Sequence, residues 1–238
     1  MKKHLQNIET ELFKIRKVLN EDPVLKLDID FKHPFLKPYS GAVKLEDIKL
    51  IIIGQDPTVR REESREKITA TLNLDKNNSL RSYLEIVCNI LQIDIDKELY
   101  ATNLYKCFFN KPPADDESIL TRHFKIWADL LIKEIKSFKN PIIISLGEPL
   151  IKQLIHTGKR DVKYFWDYIG NTQTGGKFKV INPNNNYLQR TIYPIAHQPT
   201  WSQNRFYHDY LKSYLQFITK ERENRIYEKG TVCSNHRA

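Results

Sequence analysis

Apolar residues recur along the chain in two rhythms. Residues 4–20 carry Leu5, Ile8, Leu12, Ile15 and Leu19 at spacings of three and four, which predicts an amphipathic helix whose role is packing. Pro23, Pro34 and Pro38 then break any long element, leaving an irregular lead-in with Phe31 and Phe35 as anchors. The rhythm changes at Leu45–Ile53, a β-branched run that reads as a buried strand and stops at Gly54-Gln55-Asp56-Pro57. That turn hands Gln55 and Asp56 to a loop, although Gly, Asp and Pro are also ordinary turn formers.

A polar loop, 58–67, follows, then a short apolar segment at Ala70–Leu74. Asn77-Asn78-Ser79 supplies a cap for a helix over Leu80–Leu91, whose free N–H groups offer a seat for phosphate. Leu99–Leu104 reads as a second strand with Asn103 near its end, a candidate site residue or a plain turn amide. A long helix over Glu117–Phe138, a third strand over Pro141–Leu146 and a helix over Pro149–Ile155 come next. Residues 159–190 are irregular and read as a hairpin or an insertion. A fourth strand, Thr191–Ala196, runs into His197-Gln198-Pro199-Thr200-Trp201-Ser202, and a helix over Gln203–Lys220 precedes a charged, frayed tail.

Strands alternating with helices predict a three-layer α/β/α domain around a short, mostly parallel four-stranded sheet. Three strand ends then bring Asp56, Asn103 and His197 to one sheet edge. No repeat, low-complexity tract or linker interrupts the pattern, so the expected organisation is a lead-in (1–44), an α/β domain (45–220) and a tail (221–238).

Composition adjusts this reading only slightly. With 238 residues, 40% of them hydrophobic, the chain can bury a sizeable core. No run approaches the roughly 18 apolar residues of a membrane span, and the N-terminus lacks the apolar core of a signal peptide, so an intracellular location, cytoplasmic or nuclear, is expected. Cys88, Cys107 and Cys233 lie far apart, which argues against a disulfide framework and against a zinc or iron–sulfur site. The net charge of +9 favours a polyanionic partner.

Gly54-Gln55-Asp56-Pro57, Ser79-Leu80-Arg81 at a helix start, Thr102-Asn103, the strand ending at Gly147 and His197 after the last strand stand in an order that resembles the uracil-DNA glycosylase superfamily, in the branch whose first motif begins Gly-Gln-Asp-Pro. The resemblance covers about residues 45–218. It implies a DNA glycosylase, active without metal or organic cofactor, that hydrolyses the N-glycosidic bond of a flipped uracil or related pyrimidine in DNA. A monomer is the expected state.

By that resemblance Asp56 orients the attacking water and offsets the cationic sugar, while His197 is the neutral donor to the base O2. Asn103 reads the O4 and N3 edge and Gln55 helps hold O2. Ser79, Arg81 and the Gln198–Ser202 loop, including Thr200, take the places that pinch the DNA backbone. Trp201 falls where the family inserts an apolar wedge. The chain also departs from the family. Thr58-Val59 replaces Tyr-His, removing the wall that excludes a thymine methyl, and Leu72 stands where the family stacks a Phe. The last motif, His197-Gln198-Pro199-Thr200-Trp201, differs from the better-known His-Pro-Ser-Pro-Leu.

These departures keep two further readings open. One is a catalytically weak or inactive glycosylase-fold module that binds DNA or a protein through its basic face. The other is a different α/β hydrolase acting on free nucleosides or nucleotides.

Overall fold

The apolar runs become strands where both faces can be covered. In the computed structural model, which describes residues 1–57, 61–113, 116–169, 172, 173 and 175–234, these are β1 (Leu50–Gly54), β2 (Leu99–Asn103) and β3 (Ile142–Leu146). Every residue of the three is buried, as near-continuous apolar strands require. A two-residue-per-strand hairpin, β4 (Tyr168–Ile169) and β5 (Thr172–Gln173), precedes β6 (Tyr193–Ile195).

The main sheet runs in the order β2-β1-β3-β6 with every pair parallel. Gly54 stands opposite Asn103, and Leu146 opposite Ile195. From β1 the chain steps to one side to make β2, then crosses to the other side to make β3. The carboxyl ends of β1 and β3 therefore flank a topological switch point, where open α/β sheets form their ligand crevice.

Among the described residues, beside three short 3-10 turns, stand eight α-helices: α1 (Lys2–Glu21), α2 (Glu62–Arg65), α3 (Ser79–Leu91), α4 (Ser118–Lys136), α5 (Glu148–Leu154), α6 (Val162–Phe165), α7 (Gln198–Gln203) and α8 (Arg205–Ser234). They flank the sheet in three α/β/α layers, with α3 packed on α7 and α8, and α1 packed on α4. Helix α1 buries Ile8, Leu12 and Leu19 in the common core. None of the described helices is long and apolar enough to cross a membrane.

Several boundaries differ from the sequence reading. The first strand starts at Leu50 rather than Leu45, because the Lys44 amide donates to the Asp47 carboxylate (3.0 Å) and the Ile48 amide to the Leu45 carbonyl (3.2 Å), closing a turn. The expected helix over 203–220 is two helices, since the Asn204 side chain accepts from the Phe206 amide (3.1 Å) and starts α8 afresh. That helix continues to Ser234, beyond the expected end at Lys220. The charged loop after the first motif contains α2, whose buried Arg65 donates to the Asp30 carboxylate (2.5 Å) and the Phe109 carbonyl (3.0 Å).

The lead-in guards the sheet. Tyr39 and Ala101 exchange two main-chain hydrogen bonds of 2.8 Å, which covers the outer edge of β2. Phe35 is buried against Trp127 at 5.4 Å between ring centres, and Phe31 is half-buried under the Arg16 guanidinium.

Candidate active site

Gly54 ends β1 for a steric reason. A Cβ at that position would lie 2.4 Å from Asn103 Oδ1 and 2.8 Å from a Leu72 methyl, so only glycine lets β1 and β2 meet here. Pairing continues past the strands: the Leu104 amide donates to the Gly54 carbonyl (2.9 Å), and the Tyr105 amide to the Gln55 carbonyl (2.8 Å). The half-buried Gln55 and Asp56 thus leave the sheet from a fixed starting point.

Above this point opens a cleft of about 430 Å³. Gln55 and Asp56 from the end of β1, Gly147 from β3 and His197 from β6 all line it, with Leu72 and Thr200 beside them. Asp56 and His197, far apart in sequence, therefore share one wall-to-wall space. Asn103 is fully buried below, against Gly54 and Leu72, and among the described residues neither its carboxamide oxygen nor its nitrogen has a hydrogen-bond partner. Leaving such a group unsatisfied costs about 1–3 kcal/mol, which a polar ligand reaching it would recover.

Leu72 reaches the cleft by an unusual backbone. It has φ 58° and its neighbour Asn73 φ 52°, two successive left-handed residues without glycine. Such strain costs about 1–3 kcal/mol per residue and clusters at functional sites.

His197 caps α7 from the end of β6, its carbonyl accepting from the Trp201 amide (2.9 Å). Tyr83 holds the same strand end by donating its hydroxyl to the Ala196 carbonyl (3.0 Å). Opposite, Gly147 has φ 78°, and a Cβ on it would touch the His197 Cβ at 3.4 Å. The imidazole is open to solvent on its cleft side, while the protein behind it desolvates the ring and lowers its pKa below 6.5. A neutral imidazole at pH 7 follows, able to donate one hydrogen bond without carrying charge.

A buried ion pair supports the floor of the cleft. Lys106 is wholly enclosed, with Nζ 2.9 Å from Glu134 Oε2, and it donates to the Asn103 carbonyl (2.7 Å) and to the Thr102 hydroxyl. Burial lowers the Lys106 pKa, opposed by the Glu134 carboxylate. Tyr100 donates to the other Glu134 oxygen (2.7 Å).

The expected backbone contacts fare differently. Ser79 is exposed at the start of α3, where Asn78 accepts from the Arg81 amide (2.9 Å). Arg81, however, spends its guanidinium inside the protein, on Glu85 (3.0 Å), Asp96 (2.7 Å) and the Leu74 carbonyl (2.6 Å). Trp201 does not project as a wedge: it is half-buried, stacked between Tyr83 (4.8 Å) and His208 (5.3 Å). Ser202 is exposed and donates to the Pro199 carbonyl (3.0 Å), and Gln198 is half-buried at the start of α7. Thr58 lies outside the described residues.

Sequence reasoning passed over Glu148, Val162 and Tyr207, which also line the cleft. For Glu148 there was a signal, its place directly after the glycine that ends the third strand. Tyr207 sits inside an ordinary helical pattern and carries none.

No curated protein gave a significant match to the chain. The model of the uracil DNA glycosylase superfamily, by contrast, matches residues 41–219, a span that takes in the whole sheet, every cleft-lining residue and Asn103 beneath them. The chain belongs to the uracil DNA glycosylase superfamily.

Proposed function

We propose that this protein is a DNA glycosylase of the Gly-Gln-Asp-Pro branch, in divergent form, hydrolysing the bond between deoxyribose and a flipped uracil or related pyrimidine. The observation that carries the reading is the cleft shared by Asp56 and His197 over the unpartnered carboxamide of Asn103.

Each residue type suits a step. Breaking the bond leaves positive charge on the sugar and negative charge on the departing base. The Asp56 carboxylate orients a water toward the sugar carbon and offsets its positive charge. His197, neutral because burial lowers its pKa, donates to the base O2 as charge grows there. Asn103 offers one donor and one acceptor to the O4 and N3 edge. Gln55 helps hold O2, and Leu72 gives the base an apolar wall without an aromatic stacking face. Extruding the base from a duplex costs on the order of a few kcal/mol, which favours mismatched or single-stranded sites.

The test is release of free base from oligonucleotides carrying a single uracil, single-stranded and paired with guanine or adenine. Release of uracil supports the reading. Release of neither uracil nor a modified pyrimidine, with DNA binding intact, instead supports a second reading, a glycosylase-fold module that binds without chemistry. The inward packing of Trp201 favours that second reading, because a wedge that holds the duplex open is then missing from this loop.

A further inference from the structure

Some cations on this protein are paired where they stand. Arg65, Arg81, Arg122, Lys32, Lys37, Lys49 and Lys97 each lie within 4.0 Å of a carboxylate and are largely neutralised where they stand. Many others form no ion pair among the described residues, and five of these fall in one stretch beside the cleft, within 156–169 and 175–180. That stretch holds Lys159, Arg160, Lys163, Lys177 and Lys179.

Its two acids are turned to other work. The Asp161 carboxylate accepts from the Tyr164 amide (2.8 Å), and that of Asp167 accepts from the Lys177 amide (2.9 Å). Lys159, Arg160 and Lys177 are exposed. Lys163 and Lys179 are held over tyrosine rings, with Nζ 4.8 Å from the Tyr168 centre and 3.9 Å from the Tyr164 centre, so their charges sit at fixed places on the surface.

The segment also borders the cleft. Val162, between Arg160 and Lys163, lines it. Trp166 anchors the same stretch by donating to the Pro194 carbonyl of β6 (2.8 Å), and the Lys179 amide closes the loop onto the Phe165 carbonyl (2.9 Å). Cations without a carboxylate partner thus begin one residue from the cleft wall.

We propose that Lys159, Arg160 and Lys177 form the principal face on which this protein holds a nucleic-acid backbone, set on phosphates flanking the nucleotide at the cleft. This rests on the glycosylase reading only for what enters the cleft. The phosphate-binding role that the sequence order assigns to Arg81 passes to these three residues, because Arg81 is already paired.

The experiment compares two triple variants that lose the same charge. One is Lys159→Gln, Arg160→Gln and Lys177→Gln. The control is Lys3→Gln, Lys17→Gln and Lys26→Gln, exposed positions on α1 and the turn after it. Binding to an undamaged, fluorescently labelled duplex is measured by anisotropy from about 50 to 300 mM salt. The segment triple is expected to flatten the slope of log K against log salt by about 3, near 0.9 per lost phosphate contact, and to weaken binding at about 0.1 M salt by about 10- to 100-fold. The control slope stays within about 1 of wild type. An unchanged slope in the segment triple, or equal losses in both triples, overturns the proposal, the latter by showing a general charge effect. Uracil release by the wild-type protein separates the two claims. DNA binding that depends on the segment, without base release, sinks the glycosylase reading alone; base release with an unaltered salt slope sinks this proposal alone. A wild-type protein with no DNA affinity at low salt overturns both.

Discussion

Gly54 and Asn103 meet at the paired ends of β1 and β2 so closely that a methyl group on Gly54 would lie 2.4 Å from Asn103 Oδ1. The approach is what sets the buried carboxamide beneath the cleft. Gly54→Ala forces Asn103 or Leu72 aside in a strand with no spare room. The expected result is a loss of about 1–3 kcal/mol in urea denaturation, typical of overpacking, together with a fall in base release larger than the stability loss explains. Wild-type release by a folded Gly54→Ala protein would mean that the Asn103 position does not matter.

The Lys106–Glu134 pair is fully enclosed, so removing one member strands the other charge. Lys106→Met is expected to cost about 3–5 kcal/mol. The double variant Lys106→Met, Glu134→Gln is expected to cost less than Lys106→Met alone, since no unpaired charge remains. Denaturation of these two variants and of Glu134→Gln alone gives the coupling directly, and strictly additive losses would show that the two groups act independently.

His197 bears on pH dependence. Burial lowers its pKa, so the neutral donor persists as pH falls through 6.5 and is lost only further down. The acid limb of single-turnover base release should therefore have its midpoint below 6.5. A limb centred above that value would contradict a desolvated, neutral histidine.

Trp201 packs between Tyr83 and His208, which ties α7 to α3 and α8. Trp201→Ala is expected to destabilise the protein by about 1–3 kcal/mol through lost stacking and burial. A wedge role predicts a different pattern: unchanged melting, and a defect confined to duplex DNA. Melting temperature and the ratio of single- to double-strand release decide between them.

Much of this was written locally in the chain. The ends of the first and third buried strands were legible because apolar runs stop at Gly54 and Leu146 with polar or turn residues beyond, and the helix over 80–91 because Asn77-Asn78-Ser79 supplies a cap. The second strand reads one residue too long, to Leu104, because apolar residues continue past Asn103. Asn204 was equally legible as a cap, yet the apolar rhythm on both sides of it masked the break between α7 and α8. Other features could not be read locally. The commitment of Arg81 to Asp96, and the pairing of Lys106 with Glu134, arise only when the β1–β2 and β2–β3 crossovers fold back on the sheet. Stacking of Trp201 was hidden for the same reason, since Tyr83 lies on a helix more than a hundred residues earlier.

The central claim is that Asp56, at the end of β1, serves hydrolysis of a glycosidic bond. Its most direct test is single-turnover base release from a uracil-bearing oligonucleotide, comparing wild type with Asp56→Ala, with abasic sites revealed by hot alkali. The account predicts release by the wild type and a loss of at least about 100-fold in the variant, the scale expected when a positioned charged group is removed from a transition state. Equal release by both proteins would contradict it.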